Sequence, residues 1–190
     1  MRRVLLLALL LAIAARADTE GPNSPTVSTN NSPAWTSPDN MHSQGTGNAT
    51  GDFNDDVDQI TFGFSAVTGT VDGVTVEIDC HRTGTRNNVI RVNLLNVGTC
   101  TLKNSGILTT TEDDTYNETL GSSSDTWSCT SLTAANVNNA NFGVSVLAQK
   151  SGGANPLTGT YNVDHVRITV DYTPAAGINM HRRRVIRIGD

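Results

Sequence analysis

The sequence predicts an all-β chain, an antiparallel β-sandwich of jelly-roll type with about seven or eight strands, an N-terminal signal helix and disordered flanks. Three observations carry that expectation. From Ile60 onward, apolar residues recur at every second position in short runs, the period of a half-buried strand. The runs are separated by Gly69, Asp72-Gly73, Gly84, Asn87-Asn88, Gly98, Asn104-Ser105-Gly106 and Gly152-Gly153, residues that tolerate the positive φ of tight turns. After the first 17 residues, no helical periodicity persists over three turns.

The N-terminus has the layout of an export signal. Arg2 and Arg3 form a basic region, Val4 to Ala15 an apolar one, and Ala15-Arg16-Ala17 a small-x-small cleavage site. Residues 1–17 are therefore expected to be a signal peptide, with the mature chain starting at Asp18. The apolar run is 12 residues long. A bilayer core needs about 20, so no membrane span is expected in the mature chain. The predicted location is extracellular, or on a particle or cell surface.

Residues 18–33 are built from Thr, Asn, Ser, Gly and Pro besides Asp18 and Glu20, with Val27 as the one large apolar side chain. Such a segment buries too little surface to fold by itself, and it is expected to be a flexible leader. The sandwich is expected to occupy 34–173. Its strands are marked by Ile60, Phe62 and Phe64; by Val74, Val76 and Ile78; by Ile90, Val92 and Leu94; and by Phe142, Val144, Val146 and Ala148. The clearest is the last, with Val166, Ile168, Val170 and Tyr172 on one face and His165, Arg167, Thr169 and Asp171 on the other. The expected core is Ile60, Phe62, Val74, Val76, Ile78, Val92, Leu94, Phe142, Val144, Val146, Val166, Ile168 and Val170. One short helical turn is predicted where Thr133 can cap Ala134, Ala135 and Asn136. Pro174 ends the last strand, and 174–190 forms a basic tail containing His181-Arg182-Arg183-Arg184.

The 3 cysteines of an exported chain allow one disulfide. Cys80 continues the inward parity of Val74, Val76 and Ile78, which makes it a buried thiol. Cys100 and Cys129 lie in polar connections and are the expected pair. Their bridge would close a loop of about thirty residues, worth roughly 3 to 4 kcal/mol in the chain-entropy model.

Charge excludes one class of partner. Without Arg2, Arg3 and Arg16, 10 basic residues face 18 acidic ones, and 4 of the 10 lie in the basic tail. The remaining body is strongly acidic and would repel a phosphate backbone, so nucleic acid is not an expected partner.

The stretch Asp125 to Val144, with Trp127, Leu132, Thr133, Val137, Asn138, Asn141, Phe142, Gly143 and Val144, followed by Val163, Asp164, Val166, Ile168, Val170 and Tyr172, carries a recognisable pattern. It resembles one that recurs in bacteriophage and metagenomic surface proteins: a Trp-Gly pair, a Leu-Thr-x-x-x-Val-Asn turn, an Asn-Phe-Gly-Val strand start and a closing strand. Trp35 and the run Asp72 to Ile78 are similar to the opening segments of that family, so the resemblance spans about Trp35 to Thr173. Ser128 stands where the family has glycine. The resemblance implies a virion-type or surface structural domain without assigned activity. The residues themselves read as structural: Trp127, Phe142 and Tyr172 as core aromatics, and Asn138 and Asn141 as side chains that tie down a turn.

Chemistry-bearing constellations are few. The chain contains no Gly-x-Ser-x-Gly, His-Glu-x-x-His, phosphate-binding glycine loop or Cys-x-x-Cys. Glu77, Asp79 and His81 share the outward parity of one strand and are competent divalent-metal ligands. Residues two apart lie about 6.6 Å from each other, so at most two could reach one ion without a neighbouring strand, and a solvated face is expected over a metal site. Asp52, Asn54, Asp56 and Asp58 form an oxygen-rich cluster that starts like a Ca²⁺ loop. Val57 at the sixth position and Gly63 at the twelfth exclude an EF-hand, which leaves a looser Ca²⁺ site as the alternative to a plain acidic turn. No other cofactor is expected. Asn48-Ala49-Thr50 and Asn117-Glu118-Thr119 are glycosylation sequons.

The function expected from these features is non-catalytic: a secreted or particle-surface structural or adhesive domain, partnering copies of itself or a host-surface protein or glycan. The alternative is a secreted carbohydrate-binding module, for which Trp35, Trp127, Tyr116 and Tyr161 would supply the stacking surface.

Overall fold

The computed structural model describes residues 16–29, 35–52, 58–84, 88–111, 115–150 and 159–175. The signal segment up to Ala15, and the tail from Ala176 onward, lie outside the described residues. Ten strands are present among those described: β1 (Asp18–Asn23), β2 (Val27–Thr29), β3 (Ala49–Gly51), β4 (Asp58–Thr61), β5 (Thr70–Arg82), β6 (Asn88–Leu95), β7 (Lys103–Asn104), β8 (Glu118–Ser122), β9 (Gly143–Lys150) and β10 (Tyr161–Thr173). Helix is limited to a 3₁₀ turn at Pro38–His42 and a single α turn, α1 (Ala134–Val137).

The strands form two antiparallel sheets. The first has the order β1-β10-β5-β8, with β3 pairing the N-terminal part of β10 on the edge that β1 occupies further along; the second has the order β2-β4-β9-β6-β7. Alternation along each strand sends one set of side chains between the sheets. Val74, Val76, Ile78 and Cys80 of β5 meet Val163, Val166, Ile168 and Val170 of β10 there, and Ile60, Ile90, Val92, Leu94, Val144, Val146 and Ala148 come from the second sheet. Every residue of the expected core is buried. The first run differs in form from the expectation: only Asp58–Thr61 pairs as a strand, and Phe62 and Phe64 reach the core from irregular backbone that turns at Gly63, φ 65°. Phe64 packs edge-on against Phe142, with ring centroids 5.7 Å apart.

The segment expected to be a flexible leader supplies a strand to each sheet. β1 pairs with β10 from Asp18↔Tyr172 to Asn23↔Ile168, and β2 pairs with β4 from Val27↔Thr61 to Thr29↔Gln59. Asn30 to Pro33 lie outside the described residues. Composition misleads here because an edge strand can be held by its backbone ladder and needs no apolar face of its own. Glu20 adds a side-chain anchor by accepting from the backbone N–H groups of Ser65 and Ala66 at 3.4 and 3.2 Å.

Cys100 and Cys129 form the disulfide, with their Cα atoms 4.0 Å apart, and Cys80 is a buried free thiol. The bridge joins the connection that follows β6 of the second sheet to the one that follows β8 of the first. Backbone bonds run beside it, from Thr101 N to Trp127 O at 2.7 Å and from Thr130 N to Thr99 O at 3.0 Å. Thr133 caps α1 as expected: its hydroxyl accepts from Asn136 N at 3.2 Å. Asn138 makes its side-chain bonds to backbone, but across the fold, to both the N–H and the C=O of Val67. The local turn is tied by Asn139, whose Oδ1 accepts from Asn141 N at 2.9 Å, rather than by the side chain of Asn141. Gly143 is required by close packing: a Cβ there would lie 1.8 Å from the carbonyl oxygen of Ile60.

Candidate functional site

The polar chemistry of the described residues concentrates on the outer face of the first sheet, where β5 and β10 run side by side. Register pairs Asn162 with His81, Val163 with Cys80, His165 with Asp79, and Arg167 with Glu77. Asp164 has no partner in that series; it is the extra residue of a β-bulge. The bulge reverses parity, so Tyr161 and Val163 face the core on one side of it and Val166, Ile168 and Val170 on the other.

The face expected to be solvated is covered. Asp79 is 3% exposed and His81 7%, and Asn162, Asp164 and His165 are buried beside them. The chain between the 3₁₀ turn and β3 lies against these residues: Gln44 donates to Asp79 Oδ2 at 3.1 Å, and the backbone N–H of Gly45 donates to Asp164 Oδ2 at 2.8 Å. Glu77, the third member of the outward line, is held by Arg167 in a two-pronged ion pair, Nε to Oε2 at 2.8 Å and Nη2 to Oε1 at 2.9 Å. The Arg167 guanidinium also stacks on the Tyr116 ring, 3.6 Å from its centroid.

His165 sits at the centre of this layer with both ring nitrogens occupied. Nδ1 lies 2.5 Å from the Tyr116 hydroxyl, and Nε2 lies 3.1 Å from the Ser24 hydroxyl. Burial pushes the pKa of this imidazole below the usual histidine value, and the positive charges of Arg167 and His42 act in the same direction against an opposing pull from Asp164. Burial raises the Tyr116 phenol, partly offset by Arg167; the bond to Glu77 raises the Arg167 guanidinium. Two buried polar atoms in this neighbourhood, Asp164 Oδ1 and His42 Nε2, make no hydrogen bond.

No three metal-ligating side chains converge among the described residues. Of the oxygen-rich cluster, Asp52 is exposed and Asp58 opens β4, whereas Asn54 and Asp56 lie outside the described residues. Of the stacking set expected for a glycan-binding face, Trp35, Trp127 and Tyr161 are buried, and Tyr116 is half-buried with the Arg167 guanidinium stacked on its ring. Nor is Asn117 of the second sequon a free amide. Its Oδ1 accepts from Cys80 N at 3.1 Å and its Nδ2 donates to Cys80 O, extending the β5–β8 ladder by one side chain.

The Trp127 corner occupies the opposite end of β5. Trp127 and Ser128 both adopt left-handed backbone, φ 55° and 50°. The indole Nε1 donates to Val74 O at 2.8 Å, Lys103 lies over the ring at 5.2 Å, and the same Lys103 pairs with Asp125 at 2.7 Å. Asp125 in turn accepts from Trp127 N at 2.8 Å. The motif residues Trp127, Thr133, Asn138, Phe142 and Gly143 are all engaged in holding the fold together.

No family model, curated protein or solved structure matches this chain.

The parity reversal was legible in the sequence. Tyr161 and Val163 are followed by Val166, Ile168 and Val170, so one step of three interrupts a run of steps of two at Asp164. The covering segment had no such signal, because Gln44 and Gly45 lie in a Ser/Gly/Thr-rich stretch without periodicity.

Proposed function

We propose that this chain is an exported, non-catalytic structural or adhesive domain displayed on a particle, appendage or cell surface, where it associates with copies of itself or with a host-surface partner. The observation that carries the reading is the Cys100–Cys129 disulfide, which staples the connection after β6 to the connection after β8 and so joins the two sheets. Such bonds persist in oxidising compartments, and the basic-apolar-small pattern of residues 1–17 is the corresponding export signal. The polar layer of the first sheet supports the same reading. Its ion pair and hydrogen bonds connect β5 and β10 to the segments around Ser24, Gln44 and Tyr116, an arrangement that stiffens a surface domain.

On this reading the strands follow a jelly-roll connectivity, residues 1–17 are a cleaved signal helix, and the Trp127-to-Val144 pattern reflects kinship with phage-type surface domains. The test is fractionation of the producing cells or particles, with the mature N-terminus read by mass spectrometry. Stoichiometric recovery with a particle or envelope, starting at Asp18, is expected. A soluble monomer that turns over a glycan or ester substrate would overturn the proposal.

A further inference from the structure

We propose that His165 is a pH-sensitive tie: its imidazole fastens the exit of β1, through Ser24, and the lead-in to β8, through Tyr116, onto the centre of the first sheet, and protonation of the ring loosens both. The geometry supplies the reason. Ser24 immediately follows β1, where the chain leaves the first sheet for β2 of the second, and Tyr116 stands two residues before β8. These segments approach His165 from opposite edges of the sheet and meet at its two nitrogens. A neutral imidazole offers one donor and one acceptor, and a hydroxyl can match either. An imidazolium offers two donors. The hydroxyl that had been donating must then turn its own hydrogen away, in a place where His165 is only 5% exposed.

The charges around the ring do not accommodate the new cation without rearrangement. On its own strand stand Asp164 and Arg167; opposite, on β5, stand Asp79 and Glu77; the 3₁₀ turn contributes His42; and Tyr116 comes from the lead-in to β8. Glu77 is taken by Arg167, itself a cation on the same face. Asp79 and Asp164 hold the covering loop through one oxygen each, Oδ2 of Asp79 from Gln44 and Oδ2 of Asp164 from Gly45 N–H. A carboxylate that turns toward an imidazolium, even through the unbonded Asp164 Oδ1, therefore pulls on that loop. β1 has no buried residue to oppose such loosening; besides its backbone ladder it is held by exposed contacts, Glu20 to the Ser65 and Ala66 N–H groups and Thr19 to Asp171. Acid is therefore expected to free β1 and the Gln44–Gly45 loop while the core between the sheets stays closed.

The experiment is amide hydrogen exchange on the disulfide-bonded chain at about pH 7.5 and about pH 5, corrected for intrinsic rates, in wild type, His165→Gln and His42→Gln. Protection at Thr19–Ser24, at Tyr116–Asn117 and at Ser43–Asn48 is expected to fall about tenfold in the wild type and in His42→Gln, with β5 and β9 unchanged, and to be pH-independent in His165→Gln. Protection that does not change with pH, or a loss that persists in His165→Gln, would overturn the proposal. Should His165→Gln fail to fold, the ring resonances of the wild type decide instead. The titration of His165 must coincide with the loss of protection, and coincidence with His42 or His81 would sink the idea.

Discussion

The indole of Trp127 lies in the space left by the missing side chain of Gly121: a Cβ on Gly121 would stand 2.5 Å from Trp127 Nε1 and 2.2 Å from the Val74 oxygen to which that nitrogen donates. Gly121 also has φ 80°, a conformation L side chains rarely adopt. Gly121→Ala is therefore expected to destabilise the chain by more than about 2 kcal/mol, measured by urea unfolding, because it combines backbone strain with a clash at a buried hydrogen bond. Ala at the exposed neighbour Ser122 should change stability by less than about 0.5 kcal/mol.

Ser128 gives the opposite sign. It occupies left-handed backbone at φ 50° with its side chain exposed. Ser128→Gly is expected to raise stability by about 0.5 to 1 kcal/mol, since relief of the left-handed penalty outweighs the added freedom of the unfolded chain. A lower unfolding midpoint than wild type would show that the Ser128 backbone is not strained.

The disulfide and the thiol make separable predictions. One thiol per chain should titrate after unfolding without reductant, and it should resist alkylation in the folded protein, because burial pushes the Cys80 pKa well above its ordinary value, with Glu118 and Asp79 adding to the rise. Replacing Cys100 and Cys129 together by Ser should lower stability by roughly 3 kcal/mol. Mass mapping of a peptide that joins Cys80 to either would contradict the pairing.

Asn117 is expected to matter for stability whether or not a glycan is attached. Asn117→Ala leaves Cys80 N–H without its acceptor on a central strand and should lower stability by about 1 to 3 kcal/mol in protein made in a bacterial host, where no sugar is added. An unchanged melting curve would show that the amide does not replace a ladder bond.

Global stability should also depend on pH through His165. Its folded pKa lies below the unfolded value of 6.5, so below that value the unfolded chain binds the proton and the folded chain resists it. The contribution is complete above pH 6.5 and is lost as the pH falls from there through the folded pKa. Chemical unfolding across that window should show a decline that His165→Gln flattens. An equal decline in the variant would assign it to other groups.

The sequence alone determined the class and core of this protein, because both follow from local periodicity. Steps of two between Val74, Val76, Ile78 and Cys80 require a strand with one apolar face, and the same parity buries Cys80 and leaves Cys100 and Cys129 to pair. Thr133 announced its helical turn through a cap that acts over three residues. Tertiary structure alone decided what lies over the polar face. Asp79 and His81 read as solvated because parity says which way a side chain points and nothing about what will cover it; Gln44 and Gly45 come from 35 residues or more away to do so. The edge strands β1 and β2 were hidden for a related reason. Backbone ladders join any extended segment to an open edge, so side-chain pattern carries no record of them, and only the neighbouring strands β10 and β4 could place them.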